Sequence, residues 1–298
     1  MSMFLAAFLA PIMMQAGPNP YAGAVPDYSA EVQDRPARTG NVKEAAAQPS
    51  WLSECFELVE SDPARAHATA QIRRETANGQ DRILANHCLG LAATRLGRWD
   101  DARAAFLAGR DEVPADDLRM RARLGAMAGN AALAQGDNGG ALTLLKQAYD
   151  NAQSASAGDL QAFIALDVAN LQVQLGQLER AATMLAETRR LQPDNPDGWL
   201  LSATLMRRMD RLGDAQTQIE EAARLNPTDP QIALEAGVIA ILAGRDDAAR
   251  QSWQSAIELD PEGPLADTAR EYLAQLGPVQ SETTQPEAAP PEADQPAN

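Results

Sequence analysis

Alanine stands at positions 181, 215 and 249 and proline at 193, 227 and 261, so each type recurs every 34 residues and each proline follows its alanine by 12. Two residue types held to one spacing across three successive units signal an internal repeat, and a period of roughly 20–50 residues belongs to stacked arrays. Two further units join the same grid if short insertions separate them. They place Ala102 and Ala141 in the alanine column and Pro114 in the proline column, while Gln153 stands where the remaining proline would be. The units then start near 83, 122, 162, 196 and 230.

Each unit reads as two helical stretches of about a dozen residues, split by a recurring phrase: LGRWDDAR at 96–103, QGDNGGAL at 135–142, LGQLERAA at 175–182 and LAGRDDAA at 242–249. The glycines Gly97, Gly136, Gly176 and Gly244 predict the left-handed residue that ends a helix, with Asp210 as a tolerable substitute in the fourth unit. An acid or amide after the glycine suits the start of the next helix, and the prolines stop the second helix. Hydrophobic residues make up 45% of the chain and aromatics only 4%, so the core must be built largely of Ala and Leu, which suits stacked helices rather than a sheet. The first helix of every unit carries a small residue in one column (Gly90, Gly129, Ala169, Ala203, Gly237). We expect it to face the alanine column of the second helix, with bulk supplied further along by Phe106, Leu145, Leu185, Ile219 and Trp253. A hairpin of this size cannot bury its own apolar face, whereas stacked neighbours can.

These residues resemble the tetratricopeptide repeat family, whose pattern runs Trp, Leu-Gly, Tyr, Ala, Phe, Ala, Pro. The unit at 196–229 carries Trp199, Ala203, Ala215, Ala222 and Pro227, and the unit at 83–116 carries Leu89-Gly90, Ala102, Phe106 and Pro114. The first-helix aromatic is otherwise missing, as Asn86, Gly125, Ala165 and Ala233 show, so the repeats are a degenerate form. The resemblance implies an all-α, right-handed superhelical solenoid of helix hairpins over 49–276, with a shortened first hairpin starting near 49 and a capping helix at 264–276.

It also implies a function. In the family, first helices line a concave groove that holds extended peptides or helices. Carried onto this chain, the polar groove positions are Asn130, Asn170, Gln174, Thr204, Arg207 and Arg208. Paired amides grip a peptide backbone and the arginines take a carboxylate. Leu234, Val238 and Ile241 make the far end of the groove apolar, which suits an amphipathic helix, and inter-repeat core is the competing reading for each. The Lys of the clamp in chaperone-binding relatives is absent, its column reading His87, Ala126, Leu166, Leu200 and Leu234.

The ends of the chain differ from its middle. Residues 3–14, MFLAAFLAPIMM, are an uncharged apolar run with the length of a signal-peptide core, so 1–24 is read as a signal peptide or N-terminal apolar segment. An uncleaved anchor is the alternative, and no Lys or Arg precedes the run. Residues 25–48 read as a flexible linker, and 277–298, with five prolines and four acids, as a disordered tail. An apolar start and a Pro-rich tail resemble those of exported bacterial repeat proteins, which points to the periplasm, or to the inner membrane if the first segment is retained.

A net charge of −16 speaks against nucleic acid, since nothing would neutralise a run of phosphates. There is no P-loop, GxSxG, HExxH, CxxC or EF-hand pattern, so no catalytic residue, cofactor or metal is assigned. His67 and His87 are the only histidines. Cys55 and Cys88 read as a disulfide pair if the protein is exported, with buried thiols or a site shared with His87 as alternatives. The partner is therefore another protein, offering a peptide or an amphipathic helix, and a membrane only if the N-terminal segment is uncleaved. The leading reading is a non-catalytic protein-protein interaction scaffold of the bacterial cell envelope. A membrane-tethered assembly factor for an envelope complex is the second, and an enzyme with an unrecognised groove site the third.

Overall fold

The computed structural model describes residues 50–276; the apolar segment, the linker and the acidic tail lie outside the described residues. The described residues are all helical and contain no strand. A first hairpin, α1 (Ser50–Ser61) and α2 (Pro63–Thr76), precedes five hairpins. These are α3 (Gly79–Arg95) with α4 (Trp99–Glu112), α5 (Leu118–Ala134) with α6 (Asn138–Ser154), and α7 (Gly158–Gln174) with α8 (Leu178–Leu191). They are followed by α9 (Pro196–Arg208) with α10 (Leu212–Leu225) and α11 (Pro230–Leu242) with α12 (Asp246–Leu259). A last helix, α13 (Pro264–Leu276), packs on α12 and α11. Helices touch their neighbours in sequence and first helices touch one another, as α5 does α7 and α9 does α11, which is the contact pattern of a solenoid. No described helix is long and apolar enough to cross a membrane.

The recurring phrase is a helix stop. Gly97, Gly136, Gly176 and Gly244 have φ of 68°, 83°, 72° and 72°, and Asp210 has 58°. In every case that residue's N–H and the next one close on the preceding helix. Gly97 donates to the Thr94 carbonyl at 3.0 Å and Arg98 to that of Ala93 at 2.9 Å, and the pair recurs at Asp210 and Arg211 with Arg207 and Met206. This is the Schellman closure, which satisfies carbonyls that the helix end would otherwise orphan.

The helix starts are arranged differently from the sequence expectation. After the glycine, only Asp137 caps with its side chain, accepting from Gly140 N–H at 2.9 Å. The other N-cap residues, Arg98, Gln177, Arg211 and Arg245, make no side-chain cap bond. The acids Asp100, Asp101, Asp246 and Asp247 sit instead within the first turn, where they complement the helix dipole. Side-chain capping otherwise falls at Asp62, inside the first hairpin, and between hairpins at Asp117, Asn195 and Asp229; these accept from the N–H groups of Arg65, Met120, Asp197 and Gln231 in turn.

Proline sets the helix lengths. Pro114, Pro193, Pro227 and Pro261 each stand two residues past the end of a second helix, and those four helices have 14 residues. Where Gln153 replaces the proline, α6 runs to Ser154 with 17 residues and closes its own Schellman turn through Ser156 at φ 51°. First helices behave likewise. Pro196 and Pro230 open 13-residue helices at the unit start, whereas α3, α5 and α7 lack the proline and begin one turn earlier, with 17 residues. The insertions between units are thus absorbed as extra helical turn.

Packing inside three of the hairpins also corrects an expectation. At Gly90, Gly129 and Gly237 the atoms nearest an added Cβ belong to the bulky residue of the second helix, not to its alanine. A Cβ on Gly129 would lie 2.8 Å from Leu145 Cγ, and one on Gly90 or Gly237 would collide with the Phe106 or Trp253 ring. The alanine column (Ala102, Ala141, Ala181, Ala215, Ala249) is fully buried throughout.

Candidate protein-binding groove

The groove positions lie on α5, α7, α9 and α11, and the structure divides them into three groups. Asn130 and Arg207 are already engaged across repeat boundaries. The Asn130 amide donates to Asp167 on α7 at 2.9 Å, and Arg207 pairs with Glu235 on α11 at 2.6 Å through Nε and 3.2 Å through Nη2. The Arg207 and Glu235 side chains are only 9% and 13% exposed, so removing either would strand its partner at a cost of about 3–5 kcal/mol. Leu234, Val238 and Ile241 are half-buried and pack on the C-terminal core around Trp253 and Tyr272, whose rings lie 5.1 Å apart. Gln174 and Arg208 are exposed, and Asn170 and Thr204 half-buried, leaving these four best placed to meet a partner.

Sequence reasoning missed Asp167 and Glu235. Each is the lone acid in the middle of an apolar helix, FIALDVANL and IALEAGVIAI, and that isolation is the signal that was available. Each stands five residues after the start of its unit, at 162 and 230, and the first unit's residue in this column, counted from 83, is Cys88. The column therefore carries the ties between first helices: Cys88 to Cys55 of α1, Asp167 to Asn130 of α5, and Glu235 to Arg207 of α9. The Cys55 and Cys88 Cα atoms are 6.4 Å apart and the two side chains meet as a disulfide pair.

Electrostatics along this layer are uneven. Burial lifts the Asp167 carboxyl to about 6, with the Asn130 hydrogen bond opposing the shift. His87, in the groove column of α3, is buried against Phe56 and Phe106, with ring centroids 5.7 Å and 6.4 Å away. Burial and then the Arg123 charge push His87 down to about 4, so it is neutral near pH 7. Among the described residues no three His, Cys, Asp or Glu side chains converge as a metal-binding set.

Two family profiles, both described as "Tetratricopeptide repeat", match residues 132–205 and 200–264. The chain is a tetratricopeptide repeat protein. Comparison with curated proteins returned no match. Among solved structures, the fold is similar to Pseudomonas aeruginosa PilF (TM-score 0.57, 14% identity, covering 75% of this chain and 96% of that one). It is also similar to BtubC from P. vanneervenii (TM-score 0.55, 15% identity, 82% and 97% covered) and to YrrB (TM-score 0.50, 15% identity, 74% and 99% covered). At these identities the likeness carries the fold. Tetratricopeptide repeat proteins are interaction scaffolds, and this chain has their architecture.

Proposed function

We propose that this tetratricopeptide repeat protein is a non-catalytic scaffold of the bacterial cell envelope that holds a peptide or an amphipathic helix in its concave groove. The observation that carries the reading is the split within the first-helix layer. Asn130 and Arg207 hold repeats together, which leaves Asn170, Gln174, Thr204 and Arg208 as polar groups beside the half-buried Leu234, Val238 and Ile241. Polar hydrogen-bonding groups next to an apolar floor are what a peptide with one apolar face needs. Its fold neighbour YrrB is described as a tetratricopeptide repeat protein with an unusual peptide-binding site, which is in keeping with this use of the fold. The envelope assignment is supported by the meeting of Cys55 and Cys88, since disulfides persist in oxidising compartments, and by the apolar run at 3–14.

The test is capture from envelope extracts with the full chain and with Asn170, Gln174, Thr204 and Arg208 all changed to Ala, leaving Asn130 and Arg207 intact. A protein retained by the first and lost from the second supports the groove. Identical captures from both remove it. N-terminal sequencing of the protein from cells, with thiol alkylation before lysis, tests location: a start near Gly17 or Val25 and unreactive cysteines fit export. An intact N-terminus with membrane fractionation would favour the tethered alternative, and free thiols in the soluble cytosol would overturn both.

A further inference from the structure

The last helix, α13, starts at Pro264, 34 residues after the unit at 230, and packs on α11 and α12 as a sixth first helix would. Its last turns lie at the apolar end of the groove. Leu273 and Leu276 pack on the same core around Trp253 and Tyr272 as do Leu234, Val238 and Ile241. Burial raises the Tyr272 hydroxyl above its usual range, and the charges of Arg207 and Glu235 also act on it across the layer. The chain that follows Leu276 therefore leaves the fold beside the end of α9 that carries Arg207 and Arg208.

Charge is divided between the two helix layers. The first helices α3, α5, α7, α9 and α11 hold seven arginines and five acids, whereas α4, α6, α8, α10 and α12 hold eight bases and thirteen acids. The groove layer is thus net positive in a chain of net charge −16. Of its arginines, Arg123 and Arg208 have no acceptor among the described residues, and of these two only Arg208 is exposed. Residues 277–298 supply the complement, Glu282, Glu287, Glu292 and Asp294 with no base. Their five prolines leave the backbone short of donors and rich in carbonyls, which the amides of Asn170 and Gln174 in the same layer can meet. Reach is sufficient. Glu282 stands six residues past Leu276, a span of up to about 20 Å, and the 22 residues together extend about 70 Å. Asp210, Asp246 and Asp247 stand at the hairpin turns, so a path along that edge meets like charge, while one along the first helices meets Arg208. A weak contact is enough, because a short covalent link holds the two parts at an effective concentration on the order of millimolar. We propose that residues 277–298 dock in the C-terminal half of the groove, with Glu282 and Glu287 turned to Arg208, and so act as a built-in competitor of the partner peptide. The competition rests on the groove reading; the docking does not.

The test compares backbone amide signals of the ¹⁵N-labelled full chain with those of a full chain in which Glu282, Glu287 and Glu292 are changed to Gln and Asp294 to Asn, substitutions that touch no described residue. The expected result is a shift at Thr204, Arg208 and Leu234 with α6 unchanged. The difference should collapse in about 0.5 M salt, where the Debye length falls to about 4 Å. A second measurement uses Arg208→Lys, in a chain whose other lysines are Lys43 and Lys146, to supply an amine for carbodiimide coupling. Its amide link to Glu282 or Glu287 should exceed that of Arg224→Lys, an exposed position on α10, by about fivefold or more. Identical spectra, equal shifts on α6, or equal coupling at the two positions would each overturn the docking and leave the groove reading as the capture experiment finds it. Competition is read in that capture, where the amide variant should retain several-fold more partner than the native chain. Docking with unchanged capture would overturn the competition and move the partner off this half of the groove.

Discussion

The Asn130 amide donates to the Asp167 carboxylate at 2.9 Å across the seam between two repeats, and the bond does not offset the burial of that carboxylate. The Asp167 pKa in the folded chain, about 6, lies above its ordinary value of 3.8. The folded state therefore holds this proton more tightly than the unfolded state does. Its contribution to stability is present at low pH and is lost as pH rises through about 6. Asp167→Asn removes the charge and keeps an acceptor for Asn130. It should stabilise the protein by roughly 1–2 kcal/mol near neutral pH, with the gap closing toward about pH 4. Thermal unfolding of both proteins across that range measures it, and a gap unaffected by pH would show that the ionised carboxylate is not penalised.

His87 works in the opposite direction. Its folded pKa of about 4 lies below the ordinary 6.5, so between those values the unfolded chain takes up a proton that the buried ring refuses. Stability linked to His87 is present above about 6.5 and is lost as pH falls toward about 4. His87→Leu should sit close to wild type at neutral pH and exceed it by roughly 1–3 kcal/mol near pH 4. Denaturant titrations at the two pH values decide this, and equal acid sensitivity in both proteins would locate the acid lability elsewhere.

The sequence is legible wherever one residue acts alone on the backbone. Gly97, Gly136, Gly176, Gly244 and Asp210 end helices where their position on the grid requires, and Pro193, Pro227 and Pro261 mark the ends of α8, α10 and α12. It is less legible where two residues must meet. The repeat grid places Asn130 and Arg207 on the right face but does not show that their side chains reach Asp167 and Glu235 on the next first helix. Nor does it show whether a spacer between units becomes loop or helix. That depends on the presence of Pro at the helix start, as the contrast between α7 and α9 shows.

Ser156 carries a helix stop that glycine performs elsewhere. With φ of 51° it pays a steric penalty for its Cβ, in a turn closed by Ser156 N–H to Gln153 at 2.9 Å and Ala157 N–H to Ala152 at 3.0 Å. Ser156→Gly should relieve the strain, offset in part by the greater freedom of glycine in the unfolded chain, for a net gain of about 0.5–1 kcal/mol. A shift of the denaturation midpoint with unchanged slope is the readout, and a loss of stability would mean that the serine side chain contributes more than its backbone costs.

Gly237 and Gly213 should respond to alanine with opposite signs, although both are helical glycines. Alanine ordinarily favours a helix over glycine by up to about 1 kcal/mol. A Cβ at Gly213, near the start of α10, meets nothing within 4 Å, so Gly213→Ala should gain a few tenths to about 1 kcal/mol. At Gly237 the same Cβ would collide with the Trp253 indole, which is held by its N–H to the Leu234 carbonyl at 3.2 Å and lies tilted by 49° against the Tyr272 ring. The ring cannot move without opening the contact with α13, so Gly237→Ala should cost about 1–3 kcal/mol and weaken the capping helix first. Hydrogen exchange on α13 distinguishes this from uniform loosening: faster exchange there, with α5 and α7 unchanged, is the expected pattern, and a stabilised Gly237→Ala would show that the α11–α12 contact has room that the packing of Trp253 does not reveal.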